Sequence, residues 1–255
     1  MSAAVPEPFE AVLFDLFDTL VLFERERLPE LTVNGRTMRS TAGSLHEVLR
    51  GFAPQVGLAD FVGALGWSWQ EAERIRSETH REVAAPERFQ SLFLRLEIEP
   101  SSLPAEAIPT LLAAHMRELC RAVVFPDHHR ALLEALRRRH RLAVVSNFDY
   151  TPTARFVLER AGVVDLFDTI VVSDAVGWRK PAPAIFAYAL DAIRVPARRA
   201  LFVGDRVDLD VAGAHGSGMR AAWINRGAEA LPEGARPPEF EIRDLAELAG
   251  ILGAD

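Results

Sequence analysis

The chain has 255 residues, 49% apolar and 25% charged, and 29 basic against 36 acidic side chains give it a formal net charge of −7. That is enough apolar material for one large domain or a core with a smaller companion, and the acidic balance argues against a phosphate-backbone partner such as nucleic acid. No stretch approaches the roughly eighteen uninterrupted apolar residues of a membrane span, and MSAAVPEPFE lacks the basic flank and apolar run of a signal peptide; the expected location is the cytoplasm, with no membrane partner.

In chain order, AVLFDL (11–16) is a short apolar run ending in Asp15, with no helical stripe, and predicts a buried parallel strand. From about 23 to 122 the pattern turns helical, in SLHEVLRGF, WQEAERIRSETHREV and IPTLLAAHMRELCRAVV, without comparable strand runs between. This insert opens on LPELTVNGRTMRS (28–40), where Asn34-Gly35 between alternating residues signals a two-residue hairpin turn. Three more apolar runs with polar C-terminal ends follow: RLAVVSN (141–147), DTIVVSD (168–174) and RALFVGD (199–205). Between and around them lie helical stretches at 127–139, 151–162 and 182–193, with Thr151 as the expected N-cap before Pro152 and Gly162 as a C-cap. The Gly- and Pro-rich stretch after 225 reads as a surface loop leading to a last short helix, LAELAGIL.

This alternation predicts an α/β fold, a doubly wound parallel sheet built from 1–22 and 123–255, with 23–122 forming a helical domain that begins with the hairpin. Asp15, Ser146, Asp174 and Asp205 then share the carboxyl edge of the sheet, where such folds place their sites. Cys120, the only cysteine, excludes an intrachain disulfide and a cysteine-built metal site, and reads as a small buried residue on a helix. Of the 29 basic side chains all but Lys180 are arginine, so that position requires a compact ammonium.

The strand ends resemble, in order, the four motifs of the haloacid dehalogenase-like hydrolases: AVLFDLFDTLV, VVSNFD, GWRKPAPAIF and FVGDRVDLDVAGAHGSGM. The resemblance spans the chain, including a helical cap inserted after the first motif. It implies that Asp15 is a nucleophile and that Mg²⁺ is held by Asp15, the backbone carbonyl of Phe17 and Asp205, with Asp210 ligating through water or orienting Lys180. It implies further that Lys180 neutralises nucleophile and phosphoryl group, that Ser146 and the Asn147 amide bind a phosphoryl oxygen, and that Thr19 positions Asp15 or the phosphoryl group. The physical logic agrees: a carboxylate can attack a phosphate dianion only where cations offset the repulsion, and clustered hard oxygens suit Mg²⁺.

One position departs from the pattern. Phosphatases of this family usually carry a second Asp two residues after the nucleophile, where it protonates the leaving group; here that residue is Phe17. Asp18 follows, but strand alternation turns it away from Asp15, and Asp tolerates a left-handed backbone, which suggests a structural role; if the chain leaves the strand before it, Asp18 is instead a candidate substrate contact that replaces the missing acid. An aromatic residue at position 17 also resembles the haloacid dehalogenases, which attack carbon without a metal; the retained Asp205 points back to phosphoryl chemistry. The phosphonate-cleaving branch needs a cap lysine, and 23–122 contains none.

The expected activity is therefore a Mg²⁺-dependent phosphatase acting on a small phosphorylated metabolite, as a monomer or homodimer. The rivals are a dehalogenase forming an ester at Asp15 and a member that binds a phosphorylated metabolite without turnover. Arg36 and Arg39 are candidate clamps for a substrate anion, Asp149 a candidate pocket residue or helix cap, His128 and His129 a solvated pair, and Trp67 and Trp69 core packing.

Overall fold

A computed structural model describes residues 8–253. The chain divides into two compact units, one running to Leu22 and resuming at Phe125, the other Phe23–Val124.

In the first unit β1 (Ala11–Phe14) is fully buried, which is why its four residues are all apolar. The boundary falls within β2 (Leu22–Phe23), and the second unit continues with the hairpin strands β3 (Glu30–Val33) and β4 (Arg36–Arg39), which pair antiparallel. Asn34 and Gly35 between them sit at φ 51° and 75°, the left-handed pair that a two-residue turn demands. Helices α1 (Ala42–Leu49), α2 (Leu58–Thr79), α3 (Ala85–Arg95) and α4 (Ala107–Arg121) follow, and β5 (Val123–Val124) closes the insert. Their core includes Leu45, Phe61, Phe89, Phe93 and Leu111, each fully buried. Trp67 and Trp69, expected in that core, are 37% and 43% exposed; Trp69 instead lies under the guanidinium of Arg88, 4.6 Å from its centroid, so cation–π contact rather than burial holds it.

The first unit resumes with α5 (Asp127–Arg137), β6 (Arg141–Ser146), α6 (Thr151–Arg160), β7 (Thr169–Val172), α7 (Ser173–Val176), α8 (Pro183–Ile193) and β8 (Ala200–Gly204). A π-helical turn Val207–Val211, α9 (Ala212–Gly216), β9 (Arg220–Ile224), β10 (Phe240–Ile242) and α10 (Leu248–Leu252) complete it. The six strands order β10-β9-β8-β1-β6-β7, all parallel. Leu13, Val145 and Phe202 face a core shared with Ile185 and Phe186 of α8 and Ala214 of α9, while Val12, Val144 and Val203 between them are equally buried on the other face. Each such aliphatic side chain contributes about 1.5–3 kcal/mol on leaving water, so a strand apolar on both faces is stable only where helices cover both.

Three expectations need correction. Strands β9 and β10 are added to the expected sheet: AAWI carries no alternation, and the FEI of β10 is too short to stand out inside what reads as a loop. Thr151 is the first helical residue rather than the N-cap, which is Tyr150; the Thr151 amide is taken by Asp174 Oδ2 at 2.8 Å, so a side chain from the next strand end caps α6. His129 is 1% exposed rather than solvated, its ring donating through Nδ1 to the carbonyl of Leu20 at 2.9 Å. Gly162 follows α6 at φ +64°, as a helix stop requires.

Candidate active site

The sheet order reverses at β1, with β6 on one side and β8 on the other, so their carboxyl ends meet at the switch point of the fold. Asp15 follows β1 directly and continues the ladder through its amide, which donates to Val203 at 2.9 Å. Its carboxylate Oδ1 accepts from the Leu16 amide at 2.7 Å and lies 2.7 Å from Lys180 Nζ, which leaves Oδ2 as the less committed oxygen. Lys180 Nζ is also 2.8 Å from Asp210 Oδ1, and the lysine is only 2% exposed. Its chain runs over the Phe202 ring, 5.3 Å from Nζ to the centroid.

Asp210 reaches this point from the π-helical turn because β8 ends in glycine. A Cβ on Gly204 would stand 2.3 Å from Asp210 Oδ2, inside contact distance, so only glycine admits the carboxylate. The same oxygen accepts from the Arg206 amide at 3.0 Å. Asp205 follows Gly204; its backbone carbonyl is held by Trp223 Nε1 at 2.9 Å. The ligand oxygens of Asp15, Asp205 and Asp210 lie within 4.8 Å of one another.

Gathering these groups shifts their protonation. Burial first, then the Asp210 charge, raise the Asp15 carboxyl to about 6 against the pull of Lys180. Burial and the carboxylates of Asp15, Asp210 and Asp18 push Asp205 up to about 7. Burial alone would lower Lys180, but Asp15 and Asp210 outweigh it and hold the amine above its ordinary value, so it is an ammonium at neutral pH. One ammonium thus faces three carboxylates, and the donor set of hard oxygens beside Asp205 fits a small divalent cation.

Two further hydroxyls lie near in sequence or topology: Ser146 ends β6, the strand beside β1, and Thr19 comes four residues after Asp15. Thr19 and Ser146 are fully buried, and neither Thr19 Oγ1 nor Ser146 Oγ has a hydrogen-bond partner among the described residues. Buried hydroxyls normally find partners, so each of these orphaned groups suits a ligand that accepts hydrogen bonds. The side chain of Asn147 brackets the Lys180 backbone, accepting from its amide at 2.7 Å and donating to its carbonyl at 3.0 Å. The sequence points to the Asn147 backbone amide, whereas the structure gives its side chain this bracing role as well.

Phe17 stands where the second acid was missing, and its ring packs 4.8 Å from that of Phe148. Asp18 is exposed, at φ 55°, and its charge reaches Asp205. β1 ends at Phe14, so the strand alternation expected to turn Asp18 away does not extend to it. Arg226, which no local motif marks, donates to the carbonyls of Asp18 and of Thr19, the latter at 3.3 Å, across more than 200 positions. Arg36 and Arg39 belong to the other unit; Arg36 is exposed, and Arg39 pairs with Glu30 at 2.7 Å and donates to the Leu28 carbonyl at 3.1 Å. Asp149 is buried at 5% exposure behind β6.

A family model described as haloacid dehalogenase-like hydrolase matches residues 9–218. The chain belongs to that family of hydrolases. Among curated relatives, the haloacid dehalogenase-like chain is 34% identical to a pyrimidine 5′-nucleotidase of Escherichia coli over 65% of its own length and 69% of the relative's. It is 34% identical to a phosphoserine phosphatase of Thermus thermophilus, covering 77% and 78%, and 28% identical to a glyceraldehyde 3-phosphate phosphatase of Pyrococcus abyssi, covering 86% and 82%. Among solved structures, a haloacid dehalogenase-like phosphatase from Thermococcus onnurineus aligns with TM-score 0.60 at 27% identity over 97% and 99% of the two chains. A 2-haloacid dehalogenase from Pseudomonas syringae aligns with TM-score 0.65 at 25% identity over 96% and 98%. Among the described residues no helix is long and apolar enough to cross a membrane.

Proposed function

We propose that this hydrolase is a Mg²⁺-dependent phosphatase of small phosphate monoesters, with Asp15 as nucleophile. The observation that carries the reading is Lys180, buried and 2.7 and 2.8 Å from Asp15 and Asp210, with Asp205 beside them in a cluster that needs a further cation. Relatives named for a nucleotide, phosphoserine and a triose phosphate share small phosphomonoesters as a class.

In this mechanism Asp15 and Asp205 would hold the ion, with the Phe17 carbonyl as a further oxygen, and Asp210 serves chiefly to fix Lys180. When bound, the ion supplies positive charge to the phosphoryl oxygens and lowers the repulsion between phosphate and carboxylate. Lys180 adds its own charge beside Asp15, and Thr19 and Ser146 would donate to non-bridging oxygens. An Asp15 oxygen forms a bond to phosphorus as the bond to the leaving oxygen breaks. Water then attacks phosphorus, the bond to Asp15 breaks, and phosphate departs with the carboxylate restored.

With Phe17 in place of an acid, protons for the leaving group come from water, which favours esters whose leaving groups are stable as anions. The Phe17–Phe148 pair offers such a group an apolar wall. The dehalogenase reading draws on the same Phe17 and on the likeness to the Pseudomonas enzyme. The test gives purified protein p-nitrophenyl phosphate, sugar phosphates, nucleotides and 2-chloropropionate, with and without Mg²⁺, and Asp15→Asn as control. Metal-dependent phosphate release that Asp15→Asn abolishes is expected. Metal-independent halide release would instead establish the dehalogenase, and tight binding without turnover a silent member.

A further inference from the structure

A second cluster of metal-ligating side chains lies away from the carboxylates at the sheet edge. His128 and His129 open α5, and Asp244 precedes the 3₁₀ turn Leu245–Glu247, more than a hundred positions later in the chain. One ligand atom from each of the three lies within 4.8 Å of the others. His128 Nε2 is 3.0 and 3.1 Å from the two Asp244 oxygens.

His129 makes the cluster more than a surface ion pair. Its Nδ1 must carry the proton, because it faces the Leu20 carbonyl, which can only accept. Nε2 therefore presents a lone pair, and it is buried with no hydrogen-bond partner among the described residues. A buried imidazole whose far nitrogen is fixed on a backbone carbonyl has the tautomer and ring orientation of a metal ligand. Burial also keeps this ring below its ordinary value and hence neutral at pH 7. Asp244 is held below the usual carboxylate range, its desolvation outweighed by the Ala246 amide and His128.

We propose that His128, His129 and Asp244 form a second cation site, for a divalent first-row transition ion such as Zn²⁺, separate from the catalytic carboxylates. Two imidazoles and one carboxylate are the borderline donors such an ion selects, in contrast to the all-oxygen set that suits Mg²⁺. Ligand atoms around Zn²⁺ stand roughly 3.3 Å apart, given bonds of about 2.0–2.1 Å, so the trio must draw in slightly. The exposed His128 ring can move to do so, and water completes the shell. Of the nearby cations, Arg226 acts on His129, but its guanidinium is tied to the Asp18 and Thr19 carbonyls. An ion here fastens the C-terminal turn to the start of α5 and, through His129, to Leu20, the residue after Thr19.

The test titrates Co²⁺ and Zn²⁺ into Asp205→Asn, in which the catalytic cluster is disabled. One equivalent bound, with visible Co²⁺ absorption of a nitrogen-containing site, is expected. Adding His128→Ala, at an exposed position that folding tolerates, weakens binding at least tenfold. Nitrogen NMR of the wild-type protein with Zn²⁺ shows the His129 Nε2 resonance shifted and Nδ1 still protonated. Superimposable isotherms with and without His128→Ala, or an unmoved His129 Nε2 resonance at saturating Zn²⁺, would overturn the site. Loss of phosphatase activity in Asp205→Asn bears only on the catalytic reading.

Discussion

Changing pH while titrating Mg²⁺ probes the carboxylate cluster directly. Without the ion Asp205 titrates at about 7 and Asp15 at about 6, whereas the ion binds only their ionised forms. Lowering pH from 8 to 6 takes Asp205 from mostly ionised to about one-tenth ionised, and Asp15 to about half. The product is a loss of about twentyfold in apparent Mg²⁺ affinity, with protons released from the protein when the ion binds at the lower pH. Calorimetry at both pH values, in two buffers of different ionisation enthalpy, measures affinity and proton release together. The sign carries over to stability: both carboxyls are raised above their unfolded value of 3.8, so the ion-free protein has their stabilisation in full below about pH 4. It loses that stabilisation as pH rises through about 7, and Mg²⁺ should raise the melting temperature more at pH 8 than at pH 6. A Mg²⁺ dissociation constant that moves less than twofold between pH 8 and 6 would refute the reasoning, because the ion would then not be displacing protons from this cluster.

Gly204→Ala should cost at least about a hundredfold in kcat, about 2.7 kcal/mol, with KM little changed, since the new methyl displaces Asp210 and frees Lys180; steady-state kinetics checks it. Phe17→Asp should raise turnover of alkyl phosphates at least about tenfold while changing p-nitrophenyl phosphate little, measured as the ratio of kcat/KM values. In the helical unit, burial and then Arg88 push His115 down to about 3, so it stays neutral in the fold while the unfolded chain takes up a proton below pH 6.5. Its contribution is present above that value and lost as pH falls towards 3. At pH 5 the loss is about 2 kcal/mol, which urea unfolding of wild type against His115→Gln should resolve as a steeper acid decline in the wild type.

The strands that hold chemistry were legible because each is a fully buried apolar run ending abruptly in a polar residue; β1, β6 and β8 all have that form. The hairpin at Asn34-Gly35 was legible because only a few residues tolerate two left-handed positions in a row. β10 was hidden because three residues beside Gly and Pro show no period, and its strand character comes from pairing with β9. The same limit governed the site. Asp15, Lys180, Asp205 and Asp210 announce themselves by charge within apolar surroundings or by rarity, whereas the bonds from Arg226 and Trp223 depend on chain segments that meet only after folding. The Gly204 requirement had a local signal, a glycine between a buried strand and an acid, that becomes meaningful once Asp210 is seen to occupy the space of its missing side chain.

The lone lysine has a practical side as well. Lys180 is sealed inside the fold and all the other basic side chains are guanidinium groups, so acylating reagents that seek amines find no exposed side-chain target on the native protein. Acylation at Lys180 then becomes a gauge of how often the carboxylate cluster opens to solvent, readable by mass spectrometry as a modification at that one side chain.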